Sequence, residues 1–447
     1  MKTMYGEGTF VFSHYEAMWD TGVLKFYYEV KNKDSKYDFV EIWQLPDKTD
    51  IGHLSTKMID SMLQSLHLII GTSYYKAFCP KEILIQEYSL SQKQADFWNT
   101  VYTKGLGEFF YNNKLDFRDY ISFPFDNQKD ELGIESLSLE EKVLVLHGGG
   151  KDSVVTAEIV KKSNTPFDLF CLNPKDIQYA VAEKMDKKIH SITRQIDPQL
   201  LELNASKTVF NGHVPISTFY TFAAVLYALS GNYRYIAISS EKSSSYGNIE
   251  YLGEEINHQW SKSEEAENLF RSYIATYICS DLEYFSMLRQ WYEIEVVEFF
   301  CSYPKYFEVF SSSNHNFALK NTSSARWEYD SPKTVFVFIL LSAFLPKDTL
   351  IKIFGANLYE KEELVGIFRE LLGLSGIKPF ECVGTPEEVF VAMKKAQDRG
   401  EFSNDIVMDM FNKEISNYTE IAMDEMNKKV FSTYAADNIP QKFKNIL

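Results

Sequence analysis

A run of three glycines, followed by a lysine, an aspartate and a serine, is the stretch of this chain whose residue types point most directly to chemistry. The glycines Gly148–Gly150 follow the apolar run Val143–Leu146 and precede Lys151–Ser153. Without side chains, the glycines let a ligand approach the backbone N–H groups. A helix beginning near Ser153 would add its positive dipole end and its free amides. The stretch therefore predicts an anion-binding turn, and phosphate is the usual anion.

Two common phosphate motifs do not fit this turn. The G-x-x-x-x-G-K-[ST] loop requires glycine at Val145 and Ser or Thr at Asp152, and the G-x-G-x-x-G fingerprint fails at Ser153. The turn instead resembles the pyrophosphate-loop (PP-loop) signature S-G-G-x-D-S of ATP pyrophosphatases, with Gly148 in place of the first serine. The alternative is a plain strand-to-helix turn in which Asp152 and Ser153 only cap the helix.

Further polar segments follow the predicted strands around this turn. Asn211–Pro215 leads into a predicted helix, Ser239–Ser245 leaves the strand Tyr235–Ser240, and Asn257–Ser263 comes next. Ligands of parallel sheets bind beyond the carboxyl ends of the strands. Two histidines, a carboxylate and a lysine near the turn therefore favour a site over ordinary solvated loops.

Three other segments carry candidate ligand-binding groups. Gly71–Ala77 combines hydroxyls with a lysine and is either an ordinary loop or part of a pocket. Arg289, on a helix predicted over Asp281–Phe300, is expected to pair with a substrate carboxylate or phosphate, or with Glu293 at helical spacing. Lys378–Gly384 groups an acid, a base and a thiol just before another predicted helix.

The elements that position these segments alternate between strand and helix in the middle of the chain. That alternation predicts an α/β fold with a parallel sheet over residues 136–310. Residues 1–135 predict a mixed α+β domain of β-rich runs and helices that ends in a polar linker, and residues 311–447 predict a mainly helical region.

Composition disfavours several classes of protein. The 447 residues carry 62 Asp and Glu against 46 Lys and Arg, a net charge of -16, which disfavours nucleic-acid binding. The five cysteines are far apart and form no C-x-x-C, so they predict reduced thiols rather than disulfides or a cysteine zinc site. The N-terminus lacks a signal pattern, and the longest apolar run is too short for a membrane span. These features predict a soluble, cytoplasmic protein without nucleic-acid or membrane partners.

Taken in order, the polar segments resemble those of the ATP-dependent UDP-N-acetylmuramoyl-L-alanyl-L-glutamate epimerases, the MurL family. The matching pieces are Ser73–Ala77, Gly148–Ser153, Leu203–Asn204, Asn211–Pro215, Asn257–Ser263, Tyr284–Arg289 and Lys378–Gly384. The resemblance implies a PP-loop central domain and an isomerase of peptidoglycan precursor synthesis. Its substrate would be a small molecule, a UDP-muramoyl dipeptide whose terminal L-Glu becomes D-Glu, with ATP and Mg²⁺ required and AMP and pyrophosphate released.

The resemblance and the segment chemistry together predict residue roles. The cofactor-binding residues, which would hold ATP, are Gly148, Gly149, Gly150, Lys151, Asp152, Ser153, Ser239 and Glu241. Asp152 and Glu241 are the predicted Mg²⁺ ligands, and Lys151 would neutralise the pyrophosphate. The proton carriers are His213, His258, Lys262 and Cys382, with the histidines ranked first because imidazole titrates near neutral pH. The substrate-binding residues are Tyr75, Lys76, Asn211, Asn257, Gln259, Arg289, Lys378 and Glu381.

One departure from the family concerns four cysteines of the relatives. Here their positions are occupied by Ser313, Glu328, Ser331 and Thr334. If the quartet binds zinc in relatives, this chain has lost that metal, and Phe310–Lys333 must be held by packing. Two alternatives to the epimerase stay open: a PP-loop enzyme activating another carboxylate or a nucleobase, and a non-catalytic nucleotide-binding homologue. The oligomeric state is not predicted by the sequence.

Overall fold

A computed structural model describes residues 5–33, 35–46, 49–129, 135–313 and 326–446, and its centre is a nine-stranded sheet. In chain order the strands of this sheet are β1 (Thr9–Met18), β2 (Val23–Lys31), β3 (Lys36–Gln44), β4 (Glu82–Ile85), β5 (Glu140–Leu146), β6 (Phe167–Leu172), β7 (Ile189–Gln195), β8 (Tyr233–Ile238) and β11 (Glu283–Ser286). A separate hairpin consists of β9 (Ile249–Tyr251) and β10 (Glu254–Ile256).

The strand order of the large sheet is β11-β8-β5-β6-β7-β3-β2-β1-β4. The strands from β11 to β7 are all parallel, and β7 then pairs antiparallel with β3, so the N-terminal strands extend the same sheet. The prediction of an α/β fold with a parallel central sheet is confirmed. Because β6 lies on one side of β5 and β8 on the other, the carboxyl ends of β5 and β8 form a topological switch point, where such sheets bind ligands.

The helices cover both faces of the sheet and make up the C-terminal third of the chain. They are α1 (Thr56–Phe78), α2 (Gln92–Gly105), α3 (Gly107–Asn113), α4 (Lys151–Lys162), α5 (Asp176–Lys184), α6 (Pro198–Ser206), α7 (Ile216–Ser230), α8 (Glu264–Tyr277), α9 (Glu293–Cys301), α10 (Pro332–Ser342), α11 (Lys347–Phe354), α12 (Val365–Leu371), α13 (Pro386–Asp398), α14 (Ile406–Ile415), α15 (Glu420–Val430) and α16 (Gln441–Lys444). Residues 326–446 contain no strand, in agreement with the predicted helical region. None of the helices in the described ranges is both long and apolar enough to span a bilayer.

The central strands separate two hydrophobic cores, as alternation of side chains along a strand requires. On β5, Leu144 belongs to the core that contains α1 and α7. Its neighbours Val143 and Val145 belong to the opposite core, which contains α4, α9 and α10. A strand buried on both faces explains why this run of the sequence is continuously apolar.

Two segments differ from their predicted structure. Gly71–Ala77 is not a loop but the last part of α1. A Cβ at Gly71 would lie 2.4 Å from Cε1 of Phe12, so this glycine permits close packing rather than a turn. The stretch Asp281–Phe300 is not one helix, because pairing with β8 makes its first part strand β11.

Candidate active site

The glycine turn connects β5 to α4 at the switch point. Gly149 has φ +75°, and a Cβ there would lie 3.0 Å from Ile177. A Cβ on Gly150 would lie 3.0 Å from Oγ of Ser312, whereas a Cβ on Gly148 would have no atom within 4 Å. The turn is therefore tightly covered at its second and third glycines and open at its first.

The start of α4 presents free backbone donors to this turn. The helix begins at Lys151, two residues before the predicted start, and Gly150 in the cap position provides no side-chain hydrogen bond. The Ser153 hydroxyl donates to the Gly150 carbonyl at 3.0 Å and caps no N–H group. Asp152 and Ser153 therefore lie in the first turn of the helix and do not cap it, in contrast to the alternative of a plain strand-to-helix turn. The uncapped amides are suited to hold an anion.

A buried ionic cluster lies beneath the turn. Lys151 is fully buried, and its ammonium donates to Asp152 Oδ1 at 2.5 Å and to Glu293. Lys333 donates to the same oxygen of Glu293 at 2.8 Å. Burial raises the pKa of Glu293, but the two lysines outweigh it and bring that pKa down to about 2. Lys151, predicted to neutralise pyrophosphate directly, thus has its ammonium committed to protein carboxylates.

The loop after β8 brings a third carboxylate to the turn. Glu241 is 5% exposed, and burial together with the nearby Glu293 and Asp152 raises its pKa to about 7. The buried hydroxyl oxygen of Ser239 has no partner within the described residues. Asp152 and Glu241 are hard oxygen donors beside a predicted phosphate site, a set that suits Mg²⁺, whose charge would relieve the repulsion among the acids.

Both histidines predicted as proton carriers lie at one carboxylate. Glu108, near the start of α3, is 3.2 Å from Nδ1 of His213 and accepts a hydrogen bond from Nδ1 of His258. The two ring centroids are 4.7 Å apart. One oxygen of Glu108 thus faces the Nδ1 atoms of both rings, an arrangement in which a carboxylate orients imidazoles for acid–base chemistry.

The two histidines differ in charge. Burial lowers the pKa of His213 well below its ordinary value, and His258, Lys76 and Lys262 lower it further. Burial also acts to lower the pKa of His258, but hydrogen bonds to Cys382 and Glu108 outweigh it and raise that pKa to about 9. At neutral pH, His213 is therefore a base and His258 an acid.

The Cys382 thiol lies between His258 and a lysine. Lys262 Nζ is 3.1 Å from the sulfur, and His258 forms a hydrogen bond to it. Burial opposes ionisation of the thiol, yet these two cations lower its pKa to about 6. The pKa of Lys262 is raised, because Cys382 and Glu241 outweigh the effect of its burial. Lys262 thereby connects the histidine cluster to the carboxylates of the glycine turn.

A metal ion is a second reading of the histidine cluster. Donor atoms of Glu108, His213 and His258 lie within 4.8 Å of one another, the one such group in the described ranges. The positive charges of Lys76 and Lys262, which lower the pKa of His213, oppose a divalent cation there. Because His258 already bonds to Glu108 and two lysines lie near His213, we assign the three groups to acid–base chemistry.

The predicted substrate-binding residues of α1 point into the protein. Tyr75 is fully buried, and its hydroxyl donates to the carbonyl of Pro80 at 3.1 Å. Lys76 donates to Oδ1 of Asn211 at 3.1 Å and to the carbonyl of Gly212. Tyr75 is thus a core residue, and the bonds of Lys76 with Asn211 and Gly212 hold the loop that carries His213; contact of Lys76 and Asn211 with substrate stays a prediction.

Arg289 also has internal partners. It is 1% exposed and donates to Glu267 at 2.9 Å and to the carbonyls of Glu241 at 2.8 Å and Lys262 at 2.7 Å. The alternative of a surface pair with Glu293 is wrong, and the guanidinium is used to fasten two loops of the site. The prediction of a pair with Glu293 failed because Arg289 is buried where two loops meet and does not lie on a helix, where helical spacing would have brought the two residues together.

Asn257 and Gln259 are likewise buried and bind backbone. Asn257 donates to the carbonyl of Ser244 at 2.9 Å, and Gln259 donates to the carbonyl of Val383 at 3.0 Å. These bonds place the histidine segment against the cysteine segment. Both residues therefore position the site, and their contact with substrate stays a prediction.

The predicted residues Lys378 and Glu381 flank the cysteine. Lys378 donates to the carbonyl of Tyr246 at 3.1 Å. Glu381 accepts from the Ser331 hydroxyl at 3.0 Å and from the backbone N–H of Lys333 at 2.7 Å. The structure thus anchors this segment to α10 and to the loop after β8.

The positions of the relatives' cysteines do not form a metal site in the described residues. Ser331 donates to Glu381, and the buried hydroxyls of Ser313 and Thr334 have no partner there. Trp327 instead packs on Phe310 and Phe354, with centroids 5.3 and 4.5 Å away. Aromatic packing supports this region, although residues 314–325 lie outside the described part of the chain.

A cavity of about 710 Å³ has Phe117, Tyr120 and Trp260 in its walls, and Asn257 is the one predicted site residue in its lining. Gly107 and Asn257 adjoin Glu108 and His258 along the chain, but neither the side chains of the histidine cluster nor the glycine turn line the cavity.

Comparison with known proteins agrees with the sequence resemblance. Residues 1–287 match the MurL N-terminal domain, and residues 309–426 match the MurL C-terminal domain. The chain belongs to the MurL family. A UDP-N-acetyl-alpha-D-muramoyl-L-alanyl-L-glutamate epimerase of Xanthomonas oryzae pv. oryzae is 36% identical over 82% of this chain and 81% of the relative. Epimerases with the same name from a Micromonospora species and from Salinispora tropica are 35% and 33% identical, each over 86% of this chain and over 86% and 84% of the relatives.

Three residues of this MurL-family site were missed by the sequence reasoning. Glu108 lies in a helix with no motif around it, while Glu293 and Lys333 were considered only as an ion-pair partner and as part of a packed segment. No local pattern marks them, because each becomes significant through partners more than 35 positions away: Glu108–His258, Lys151–Glu293 and Lys333–Glu293.

Proposed function

We propose that this protein epimerises the terminal L-glutamate of UDP-MurNAc-L-Ala-L-Glu to D-glutamate, and that it uses ATP to activate the carboxylate. Membership of the MurL family supports the reaction, since the relatives are named for it. The observation that carries the proposal is the position of Lys262, whose ammonium lies 3.1 Å from the Cys382 sulfur and whose pKa, which burial lowers, is raised by Cys382 and by Glu241 and Asp152 at the turn. An anion-binding turn and an acid–base cluster thereby form one site.

The need for ATP follows from the acidity of the proton. A proton on the carbon beside an ionised carboxylate is hard to remove, because the carbanion would lie next to a negative charge. Joining that carboxylate to AMP removes the charge and makes the carbonyl an electron sink. Release of pyrophosphate at the glycine turn would accompany this step, as in the PP-loop enzymes that the turn resembles.

The residues at the turn suit binding of the triphosphate. The amides from Gly149 to Ser153 would hold the pyrophosphate, and the uncapped start of α4 favours its charge. Asp152 and Glu241 would hold Mg²⁺, which when bound supplies charge neutralisation at the phosphates. Lys151 and Lys333 would keep Glu293 ionised and the cluster in place.

The histidine cluster would move the proton. His213, whose pKa burial and the neighbouring cations hold low so that the ring is neutral at pH 7, would take the proton from one face of the glutamyl α-carbon. A cationic partner of the cluster, His258 or Lys262, would return a proton to the other face. Each well-placed acid or base contributes about 10²–10⁴ in rate.

The test is one incubation in D₂O with ATP, Mg²⁺ and UDP-MurNAc-L-Ala-L-Glu. Mass spectrometry follows deuterium at the glutamate α-carbon, chiral analysis follows D-glutamate after hydrolysis, and a coupled assay follows pyrophosphate. We expect deuterium uptake that requires ATP, with pyrophosphate formed in step.

Other results would assign another function. Pyrophosphate without α-carbon exchange would indicate activation of a different acceptor. Neither product in the presence of bound ATP would indicate a nucleotide-binding homologue without catalysis.

A further inference from the structure

Cys382 differs from the other cysteines in its surroundings. Burial raises the pKa of Cys79, Cys171, Cys279 and Cys301, and the single cations near Cys79 and Cys301, Lys76 and Arg399, do not offset it. Cys382 instead has Lys262 Nζ at 3.1 Å and hydrogen-bonds to His258. This thiol alone is held in a site that stabilises its thiolate.

The thiol is the first of three groups that contact one another in sequence. Cys382 contacts His258, and Nδ1 of His258 donates to Glu108. A sulfur nucleophile, an imidazole and a carboxylate in this sequence of contacts form the arrangement that activates nucleophiles in acyl transfer.

We propose that Cys382 is a nucleophile, and that the activated glutamyl carboxylate is transferred from AMP to its sulfur, so that epimerisation takes place on a thioester. This inference rests on the proposed function and adds a covalent site to it. A thioester acidifies the neighbouring α-proton, because its carbonyl accepts electron density better than a carboxylate does.

The step balances without a further reagent. The thiolate of Cys382 attacks the carbonyl carbon of the acyl-adenylate, a C–S bond forms, the C–O bond to AMP breaks, and AMP leaves as the anion. After proton exchange at the α-carbon, water cleaves the C–S bond and returns the carboxylate and the thiol. The sum is ATP, substrate and water converted to AMP, pyrophosphate and epimer.

The position of the thiol permits this transfer. Lys262 interacts with Cys382 and also with Glu241 and Asp152 at the glycine turn. Lys333, whose charge helps to lower the pKa of Cys382, donates to Glu293 in the ionic cluster beneath that turn. Two lysines thus couple the charge of the sulfur to the carboxylates at the turn, and His213, whose ring centroid is 4.7 Å from that of His258, would remove the α-proton.

The experiment is a single turnover of the full chain with ATP, Mg²⁺ and UDP-MurNAc-L-Ala-L-Glu, quenched in acid within milliseconds to seconds. Intact-protein and peptide mass spectrometry look for an adduct of the substrate mass less water. We expect it on the peptide that contains Cys382, and we expect hydroxylamine to remove it.

Matched variants separate the covalent role from other effects. Cys382→Ala is expected to keep substrate-dependent ATP–pyrophosphate exchange, to form no adduct and to lose about 10³-fold or more of α-carbon deuterium uptake. Cys301→Ala, at a half-buried cysteine outside the site, is expected to behave as the unchanged protein. In protein without substrate, alkylation of Cys382 by iodoacetamide is expected to have a midpoint near pH 6, a value that Glu108→Gln should raise.

Two results would overturn the inference, and they differ from failure of the proposed function. Deuterium uptake and pyrophosphate with no adduct at any quench time would make Cys382 a proton carrier. If the pH profile of alkylation were that of an ordinary thiol, Cys382 would not be activated as a nucleophile. Absence of substrate-dependent pyrophosphate exchange in the unchanged protein would instead contradict carboxylate activation itself, leaving the alkylation profile to report on the thiol.

Discussion

The two halves of the site are built differently. The glycine turn is one continuous strand–turn–helix segment, Val143–Ser153, with its donors in the backbone. The histidine–cysteine half combines side chains of four segments: Glu108, the His213 loop, the His258–Lys262 segment and Cys382. Backbone donors need only a local conformation. An acid and a base that act on opposite faces of one carbon must come from different directions, so one segment of chain cannot supply both.

The largest expected effect tests whether the turn half serves both steps. Asp152→Asn should lower pyrophosphate formation and α-carbon exchange together by about 10³-fold, the size of losing one preorganised charge contact. The assays of pyrophosphate and deuterium measure both. Asp186→Asn, at an exposed aspartate, is the control. Loss of exchange alone would place Asp152 in the other half.

The ionic cluster beneath the turn should dominate the effect of acid on stability. The pKa of Glu293 is lowered to about 2 in the folded protein, so its contribution is present above its ordinary pKa and is lost as the pH falls through about 2. Glu293→Gln removes the carboxylate that Lys333 binds and one of the two that Lys151 binds, and should cost about 3 kcal/mol, or about 10² in the unfolding equilibrium. Urea unfolding at pH 7 and at pH 3 measures it. If Glu293→Gln lost less unfolding free energy at pH 7 than at pH 3, the ionised carboxylate would not be the stabilising form.

The histidine half should be separable from the turn half. His213→Gln is expected to lower α-carbon exchange by about 10²-fold and to leave substrate-dependent pyrophosphate formation within about twofold, because the imidazole acts after activation. His190→Gln, on β7, is the control. Equal loss of both signals would mean that His213 serves the activation step.

A smaller change should appear when the carboxylate between the histidines loses its charge. The raised pKa of His258, about 9, depends partly on Glu108, so the imidazolium is present below that value and is lost as the pH rises through it. Glu108→Gln should move this titration to lower pH and reduce the rate by about 10-fold. NMR of ring-labelled histidine measures the pKa without reference to activity. An unmoved His258 titration would show that Glu108 has no part in setting it.

The smallest expected effect concerns the first glycine of the turn. Because a Cβ at Gly148 would have no atom within 4 Å, Gly148→Ser should fold normally and add a hydroxyl where the PP-loop signature has one. We expect the KM for ATP to fall by about threefold, one hydrogen bond's worth. Gly149→Ala, at φ +75°, is the contrasting variant and should be destabilised. An unchanged KM for Gly148→Ser would show that the serine position makes no phosphate contact.

The resemblance to the MurL family and the parallel sheet were accessible from the sequence because both depend on local order. Strand and helix runs alternate, and the polar segments keep their succession along the chain. The assignment of substrate contacts was less successful. Lys76, Arg289 and Gln259 were selected for their chemistry, yet their donors bind the protein's own carbonyls and side chains. Chemistry identifies a donor, but burial decides whether its acceptor is a ligand or the backbone.

By itself, the sequence determined the glycine turn, the buried strand before it and the helix after it, because φ freedom, apolar continuity and helix periodicity are properties of neighbouring residues. Only the tertiary structure decided which carboxylate lies between His213 and His258 and which ammonium lies at Cys382. Those contacts join residues more than 100 positions apart, as Glu108 and His258 or Lys262 and Cys382. The pKa values near 9 and 6 that follow depend on distance and burial, which no local pattern encodes.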